Sequence, residues 1–261
     1  MNVALFGGTF DPIHRGHLAV ARAAMERYAL GKVLFVPANI QPLKKHAPVT
    51  AYIHRYAMVS LAVAGEKKFV PSLLEAPNPQ GPAHPSYTID TVRTLRRSLR
   101  KSDRLFILIG IDAFIHIAKW RESEALLRGC EFIVANRPGF SLAHVARALP
   151  ESMRPEAMVT QLFRKQKPSG DLAIGGAMIH LLEEVEDPSS ATKIRTTAAK
   201  GGNLGTVVGE SVAEYIRKVG LYRAKAEPED DERTEAKPKL EIVGGKAHRK
   251  GSEPARHSKR S

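Results

Sequence analysis

The 261-residue chain has one cysteine, Cys130, and one tryptophan, Trp120, and aromatic residues make up only 6% of it. A single thiol excludes an internal disulfide and fits a reducing compartment. Placed just before Phe132-Ile133-Val134, it reads as a small buried hydrophobe. No apolar run is long enough to cross a bilayer, since the longest, Leu105 to Ala118, is interrupted by Asp112 and His116. No basic segment followed by a long apolar stretch opens the chain, so no signal peptide is expected and the protein is read as soluble and cytoplasmic. The Gly-x-Gly-x-x-Gly dinucleotide fingerprint is missing, and so is a Gly-Lys-Ser/Thr phosphate loop. No His/Cys/carboxylate cluster has the spacing of a protein-built metal site. Helix-turn-helix, zinc and RNA-recognition patterns are absent too, and interleaved aromatics are scarce. A basic nucleic-acid-binding module is therefore a poor account of the main function.

Basic charge, by contrast, is abundant. The chain carries 40 Lys/Arg against 27 Asp/Glu, a net charge of +13. Residues 224–261 hold ten basic and eight acidic side chains, so residues 1–223 carry +11. A basic domain suits polyanionic partners, whether nucleic acid or small phosphorylated substrates. The 224–261 segment runs from an acidic block (Glu227 to Glu235) into a basic end (Lys246 to Arg260) with almost nothing apolar to pack. It reads as a disordered charged tail, either a plain solvated extension or a weak polyanion-binding arm.

Short apolar runs alternate with helical patterns over the first two thirds of the chain. Strands are expected at Val3–Phe6, Val33–Val36, Phe69–Leu74, Leu105–Ile109, Phe132–Ala135 and near Ala177–Leu182. Between them Leu18–Leu30 and Tyr52–Ala64 have helical apolar faces, and Ile89, Val92, Leu95 and Leu99 recur at helical spacing. Residues 140–172 read as a peripheral insertion with two helical patterns, and Val207–Val219 as one last helix stopped by Gly220. The alternation implies an α/β, doubly wound (Rossmann-like) parallel sheet, with ligands outside the carboxyl ends of its strands.

The most informative stretch is Gly7-Gly8-Thr9-Phe10-Asp11-Pro12-Ile13-His14-Arg15-Gly16-His17, between the first strand and first helix. Glycines there would let the backbone turn sharply and leave main-chain N–H groups open to a ligand. The helix start favours an anion, and His14 and His17 can add donors or positive charge. Two histidines three apart could also be merely packed or exposed; the glycine turn before them is what favours phosphate binding. A second basic group, Ser189-Ser190-Ala191-Thr192-Lys193-Ile194-Arg195, leads into another helix. Cations at a helix start oppose its dipole, which suggests that they serve a bound anion.

The His14-x-Gly16-His17 element resembles that of nucleotidyltransferases and class I aminoacyl-tRNA synthetases. Taken with Ser190–Arg195, the chain is similar to the nicotinate-nucleotide adenylyltransferases. The resemblance continues through Pro37-x-Asn39-x-x-Pro42-x-Lys44, Arg55-Tyr56-Ala57-Met58, Ser86-Tyr87-Thr88-Ile89-Asp90-Thr91, Gly110-x-Asp112, Trp120, Arg137-Pro138-Gly139 and Gly220-Leu221-Tyr222-Arg223. It spans residues 1–223, a catalytic domain, and leaves the 224–261 tail outside. It departs from the family pattern at Ser189 (usually isoleucine), Leu43 (usually histidine) and Arg121 (commonly aromatic).

The resemblance implies the HxGH nucleotidyltransferase fold and adenylyl transfer from ATP to nicotinate mononucleotide, giving nicotinate adenine dinucleotide and pyrophosphate. It assigns His14, His17 and Arg195 to catalysis. It assigns Gly7, Gly8, Thr9, Phe10, Gly16, Gly110, Asp112, Ser190, Thr192 and Arg195 to ATP, and Lys44, Thr88 and Trp120 to the mononucleotide. Mg²⁺ would ride on the ATP phosphates, with no protein-built metal site. Plainer roles stand beside several of these: core packing for Trp120, helix capping for Asp112, a solvated loop position for Lys44. Asp11 could be a general base or a turn residue. Nicotinamide mononucleotide or phosphopantetheine is the alternative acceptor, and a homo-oligomer is left open.

Overall fold

The structure, a computed structural model, describes residues 1–40, 49–80, 85–163, 169–183, 185, 187 and 189–223. The expected 224–261 tail and Lys44 lie outside the described residues. Among the described residues seven strands form one sheet: β1 (Asn2–Gly8), β2 (Lys32–Pro37), β3 (Phe69–Pro71), β4 (Arg104–Gly110), β5 (Glu131–Ala135), β6 (Gly170–Ile174) and β7 (Ala177–Leu182). Their order is β3-β2-β1-β4-β5-β7-β6, parallel throughout except for the antiparallel β6–β7 pair at one edge. The doubly wound α/β expectation is met, with that one antiparallel addition.

The helices are α1 (Arg15–Arg27), α2 (Tyr52–Val63), α3 (Thr88–Ser98), α4 (Ile111–Phe114), α5 (Ser123–Gly129), α6 (Leu142–Ala148), α7 (Ala157–Leu162), α8 (Ala191–Ala199), α9 (Gly205–Val208) and α10 (Glu210–Val219). Alternate residues of each strand feed two cores. Val3, Leu5, Ile107, Ile109, Phe132 and Val134 pack under α3, α5 and α6. Ala4, Phe6, Phe35, Phe106, Leu108 and Ile133 pack under α1, α2, α8 and α10. Burial on both faces is why these strands read as continuous apolar runs rather than alternating ones. The helices change face between β1 and β4, so the exits of those strands flank a crevice at the carboxyl edge.

Four expected boundaries shift for local reasons. The first helix starts at Arg15, earlier than Leu18, because His14 is its N-cap. The third strand ends at Pro71 and not Leu74: after one further bond from Ser72 N–H to Phe35 O (2.9 Å), Leu74 N–H turns to Ser72 Oγ (3.3 Å). The insertion expected to be helical contains α6 and α7 but ends in β6, joined to β7 by Gly175-Gly176 at φ 57° and 82°. Two consecutive positive φ values are what a two-residue hairpin requires. The single helix expected over Val207–Val219 is two, broken at Gly209, whose φ 86° and ψ 152° fall outside both helical regions.

That conformation is open essentially to glycine alone, and a side chain in such a region is strained by about 1–3 kcal/mol. Gly209→Ala is therefore expected to lower the free energy of urea unfolding by ~1–3 kcal/mol, seen as a lower midpoint. An unchanged midpoint would show that α9 and α10 can merge without strain.

Candidate active site

The polypeptide leaves β1 in a way the sequence did not suggest. Gly7 and Gly8 are still strand, paired with Val36 and Pro37, and neither has a positive φ. The sharp change of direction comes at Phe10, at φ 49°. A side chain on Gly8 would meet the Phe10 ring at 3.0–3.2 Å, whereas on the exposed Gly7 it would make only an ordinary contact with Leu5 Cδ2 at 3.7 Å. Gly8 thus makes room for Phe10, and Gly7 leaves the strand end uncovered. The Phe10 ring is buried in the core, edge-on to Phe6 (5.7 Å) and His17 (5.1 Å). Only its main chain is left for a ligand.

Four distant elements fasten this loop. Arg55 of α2, 2% exposed, donates to three carbonyls: Thr9 O (2.7 Å), Thr50 O (2.8 Å) and Asn39 O (3.5 Å). The Asp11 carboxylate accepts from Thr50 N–H (3.2 Å) and the Tyr222 hydroxyl (2.7 Å). Arg195 of α8 donates through Nη1 to Asp11 O at 2.7 Å. Both Asp11 carboxylate oxygens are thus engaged, which fits the turn role and leaves no free general base there. Burial and the Asp11 carboxylate push the Tyr222 phenol well above its usual range.

His14 caps α1 with extended backbone (φ −145°), and its N–H donates to His17 Nδ1 at 3.2 Å. The two rings lie 3.8 Å apart between centroids. With Nδ1 as an acceptor, neutral His17 must carry its proton on Nε2. Burial pushes His14 down to about 4, opposed by Asp187 and reinforced by Arg137. His17 is held well below the usual imidazole range by burial, then by His14 and Arg137. Of the two contributions expected of these histidines, donors or positive charge, the lowered values favour neutral donors in the absence of a bound anion. The buried His14 Nδ1 has no hydrogen-bond partner among the described residues. A side chain on Gly16 would meet Asp187 Oδ1 at 2.9 Å and His14 Nδ1 at 3.1 Å, so the glycine leaves room for both groups on the same side of the turn.

The second basic element completes this edge. Ser190 is the N-cap of α8, and Thr192 Oγ accepts from Arg195 Nη2 at 3.4 Å. Fixed permanent charge comes from Arg195 and from Arg137 after β5. Arg137 Nε is 3.9 Å from Asp112 Oδ1, bridging the exits of β4 and β5. Asp112 sits in the first turn of α4, whose N-cap is Gly110, so it does not itself cap the helix. Asp112 Oδ1 stands 2.6 Å from where a Gly110 side chain would begin, so a larger residue there would make the exposed carboxylate shift.

The remaining candidates lie on the β3 and β4 side of the same edge. Thr88 opens α3 behind its N-cap Tyr87. Trp120 follows a short 3-10 turn (Ile117–Lys119) after α4 and is partly buried against the core. Arg121 joins the two, its guanidinium 4.9 Å over the Tyr87 ring. Ser86 N–H donates to Ile40 O at 3.0 Å, tying this segment to the exit of β2. Among the described residues, no three His, Cys, Asp or Glu side chains converge to hold a metal ion. No described helix is long and apolar enough to cross a membrane. Asp187 and the pairing roles of Arg55 and Tyr222 were not readable as such; Asp187 Oδ1 accepting from Ser189 N–H (2.8 Å) is a local turn pattern that could have drawn attention to it.

Residues 5–197 match the cytidylyltransferase-like family model. A glycine-bearing strand exit, paired imidazoles at a helix start and an arginine from a second helix start make this a nucleotidyltransferase of that fold. A curated relative from Moorella thermoacetica, named nicotinate-nucleotide adenylyltransferase, is 39% identical over 223 residues, 85% of this chain and 92% of its own. A relative of the same name from Desulfotalea psychrophila is 37% identical, covering 84% and 99%. The chain belongs to the nicotinate-nucleotide adenylyltransferase family. A solved Plasmodium falciparum nicotinic acid mononucleotide adenylyltransferase, complexed with NaAD, shares the fold at TM-score 0.58 and 18% identity, covering 85% of this chain and 97% of its own.

The lowered His14 pKa has a consequence for stability. Unfolded, the imidazole takes up its proton near 6.5; folded, only near 4. Between those values the unfolded state binds more protons, so stability is full above pH 6.5 and falls as pH drops toward 4, by up to ~3 kcal/mol from this group. His14→Asn is expected to show a smaller loss of urea stability between pH 7 and 4.5 than the wild type. Equal losses would mean that His14 does not titrate in this way.

Proposed function

We propose that this chain transfers the adenylyl group of ATP to nicotinate mononucleotide, a step of NAD biosynthesis. The observation that carries the reading is the 2.7 Å bond from Arg195 to the Asp11 carbonyl, which joins the His-x-Gly-His loop to the start of α8. Two helix N-termini and two kinds of nitrogen donor then face one crevice, as a triphosphate would need.

The nucleophile is the 5′-phosphate oxygen of the mononucleotide, already ionised, so no proton need be removed from it. It attacks the α-phosphorus in line; the bond from that phosphorus to the α–β bridging oxygen breaks, and pyrophosphate leaves with the electron pair. The protein's task is positioning and charge stabilisation. His17 donates from Nε2 toward the reacting phosphate, and His14 contacts the same triphosphate. Thr9, the main chain of Gly7, Gly8 and Phe10, the Ser190–Thr192 turn and Arg195 hold its oxygens. Gly16 keeps the histidine turn open, while Gly110 and Asp112 line the nucleoside end. Mg²⁺ arrives as part of the ATP complex, bound by phosphate oxygens and water.

Thr88 hydrogen-bonds the nicotinate carboxylate, Trp120 stacks on the pyridine ring, and Lys44 contacts the mononucleotide phosphate. Residues 1–223 form the catalytic domain, and 224–261 are a tail not needed for catalysis. The single cysteine, Cys130, is buried and fits a cytoplasmic enzyme.

Pyrophosphate release should require ATP, Mg²⁺ and nicotinate mononucleotide together, measured beside nicotinamide mononucleotide and phosphopantetheine as rival acceptors. No turnover with any acceptor would end the enzyme reading; preference for the amide would change only the substrate. His17→Ala is expected to lower kcat by about 10²-fold or more, in the range seen when one preorganised donor is removed, in a variant that stays folded although it loses a packed ring and the acceptor of the His14 N–H. Wild-type turnover in that variant would take His17 out of the site. A chain ending at Arg223 should keep full activity; a folded but inactive truncation would give the tail a catalytic part.

A further inference from the structure

Beside the crevice, Arg121 gathers a compact charge network between the start of α3 and the segment that follows Trp120. Its guanidinium lies 4.9 Å over the Tyr87 ring. Its Nη1 is 3.5 Å from Asp90 Oδ2 and its Nε 3.9 Å from Glu122 Oε1. Arg93 closes the ring with a two-pronged bond to Glu122 (3.1 and 2.5 Å) and a 3.6 Å approach to Asp90. Glu122 sits at φ 51°, a left-handed conformation unusual for a residue with a side chain. Tyr87 caps α3 immediately before Thr88, and Arg121 immediately follows Trp120. On its other side α3 is held by Thr91, whose hydroxyl donates to Glu75 at 2.8 Å.

We propose that Arg121 is a positioning residue for the mononucleotide acceptor: by stacking on Tyr87 and pairing with Asp90, it sets the spacing between Thr88 and Trp120. This rests on the assignment of those two residues to the pyridine ring. Two cations here face two carboxylates, so the network has no spare charge to offer a substrate. Its effect is geometric. The ion pairs are exposed and individually weak, whereas the planar stack fixes orientation. The contacts lie on the β4 side of the edge, away from His14 and Arg195, so the consequence should fall on one substrate only.

Trp120 is the only tryptophan, so intrinsic fluorescence of the full-length protein reports from inside the proposed pocket. Arg121→Ala is expected to raise both the fluorescence-derived Kd and the KM for nicotinate mononucleotide by about 5- to 10-fold, the size of one stacking contact near 1 kcal/mol. KM for ATP should stay within about twofold, and an Arg121→Tyr variant, able to pack an aromatic ring on Tyr87, should recover most of the loss. In a double-mutant cycle with Tyr87→Leu, the combined loss should be no greater than the larger single loss. Should Arg121→Ala fail to fold, Arg121→Lys, which keeps the charge but not the planar stack, is expected to show the same split with a smaller rise.

A wild-type Kd in Arg121→Ala, a parallel rise in KM for ATP, multiplicative losses in the cycle, or no recovery with tyrosine would each overturn the proposal. A wild-type protein that shows neither fluorescence change nor heat on adding the mononucleotide would instead refute the acceptor assignment itself, and the positioning role with it.

Discussion

The buried guanidinium of Arg55 is the constraint from which the crevice is built. The loop after β1 would not hold its shape unaided: Phe10 has a positive φ, and the Thr9 and Asp11 carbonyls take their hydrogen bonds from the side chains of Arg55 and Arg195. Arg55 answers three carbonyls at once, from Thr9, Asn39 and Thr50. Burial weakens its hold on the proton, but Asp11, Tyr52 and Tyr222 counter this, Asp11 most strongly. A charge taken out of water is tolerable when hydrogen bonds and an opposite charge surround it, and removing a partner then strands the rest. Asp11 in turn fastens Tyr222, Thr50 and Arg195. One polar centre therefore ties the exits of β1 and β2 to α2, to the start of α8 and to the residues after α10.

The same arrangement explains how a strongly basic protein can keep its phosphate site free of self-repulsion. His14 and His17 are packed ring to ring, with His17 against Phe6 and Phe10, where two imidazolium ions would repel each other and lack solvation. Neutral rings avoid both costs and still present N–H donors. Permanent charge is carried instead by Arg195 and Arg137, each placed where a carbonyl or carboxylate partly satisfies it. Asp187 beside His14 opposes the effect of burial without overcoming it, and a bound polyanion would act in the same direction as that carboxylate.

Most of the fold was readable because the central strands are buried on both faces, so Val3–Phe6, Leu105–Ile109 and Phe132–Ala135 stand out as apolar runs. β6 was missed because it is an edge strand, with Leu172 and Ile174 only partly buried and Asp171 and Ala173 outward. Its signal was the Gly175-Gly176 pair, not hydrophobicity. The break at Gly209 was hidden by an apolar stripe that continues in phase on both sides of it. At the site, residue types with distinctive chemistry were visible: His14, His17, Ser190 and Arg195. What holds them was not, since Arg195 meets Asp11 across 184 positions and Tyr222 meets it across 211. Such pairings leave no periodicity or local spacing to read. The glycines show a subtler limit. Gly8 could be read as a phosphate-loop glycine, yet its steric need comes from the Phe10 ring.

Topology decides how two substrates could share one edge without sharing determinants. The helices change face between β1 and β4, so the exits of these neighbouring strands diverge around a crevice. On the β1 side stand the paired histidines, the start of α8 and Arg195, all locked to the Asp11 centre. On the β4 side stand Asp112, Trp120 and, reached through the Arg121–Tyr87 stack, the start of α3. The first group is rigid through buried bonds to carbonyls, the second through an exposed stack and a balanced ring of charges. Substitutions near Arg55 or Asp11 should therefore disturb folding and phosphate binding together. The β4 side can vary more independently, and the departure from the family pattern at Arg121 falls there. An aromatic residue and an arginine are interchangeable at such a position only if its task is to cover a ring, which the Arg121 guanidinium does over Tyr87.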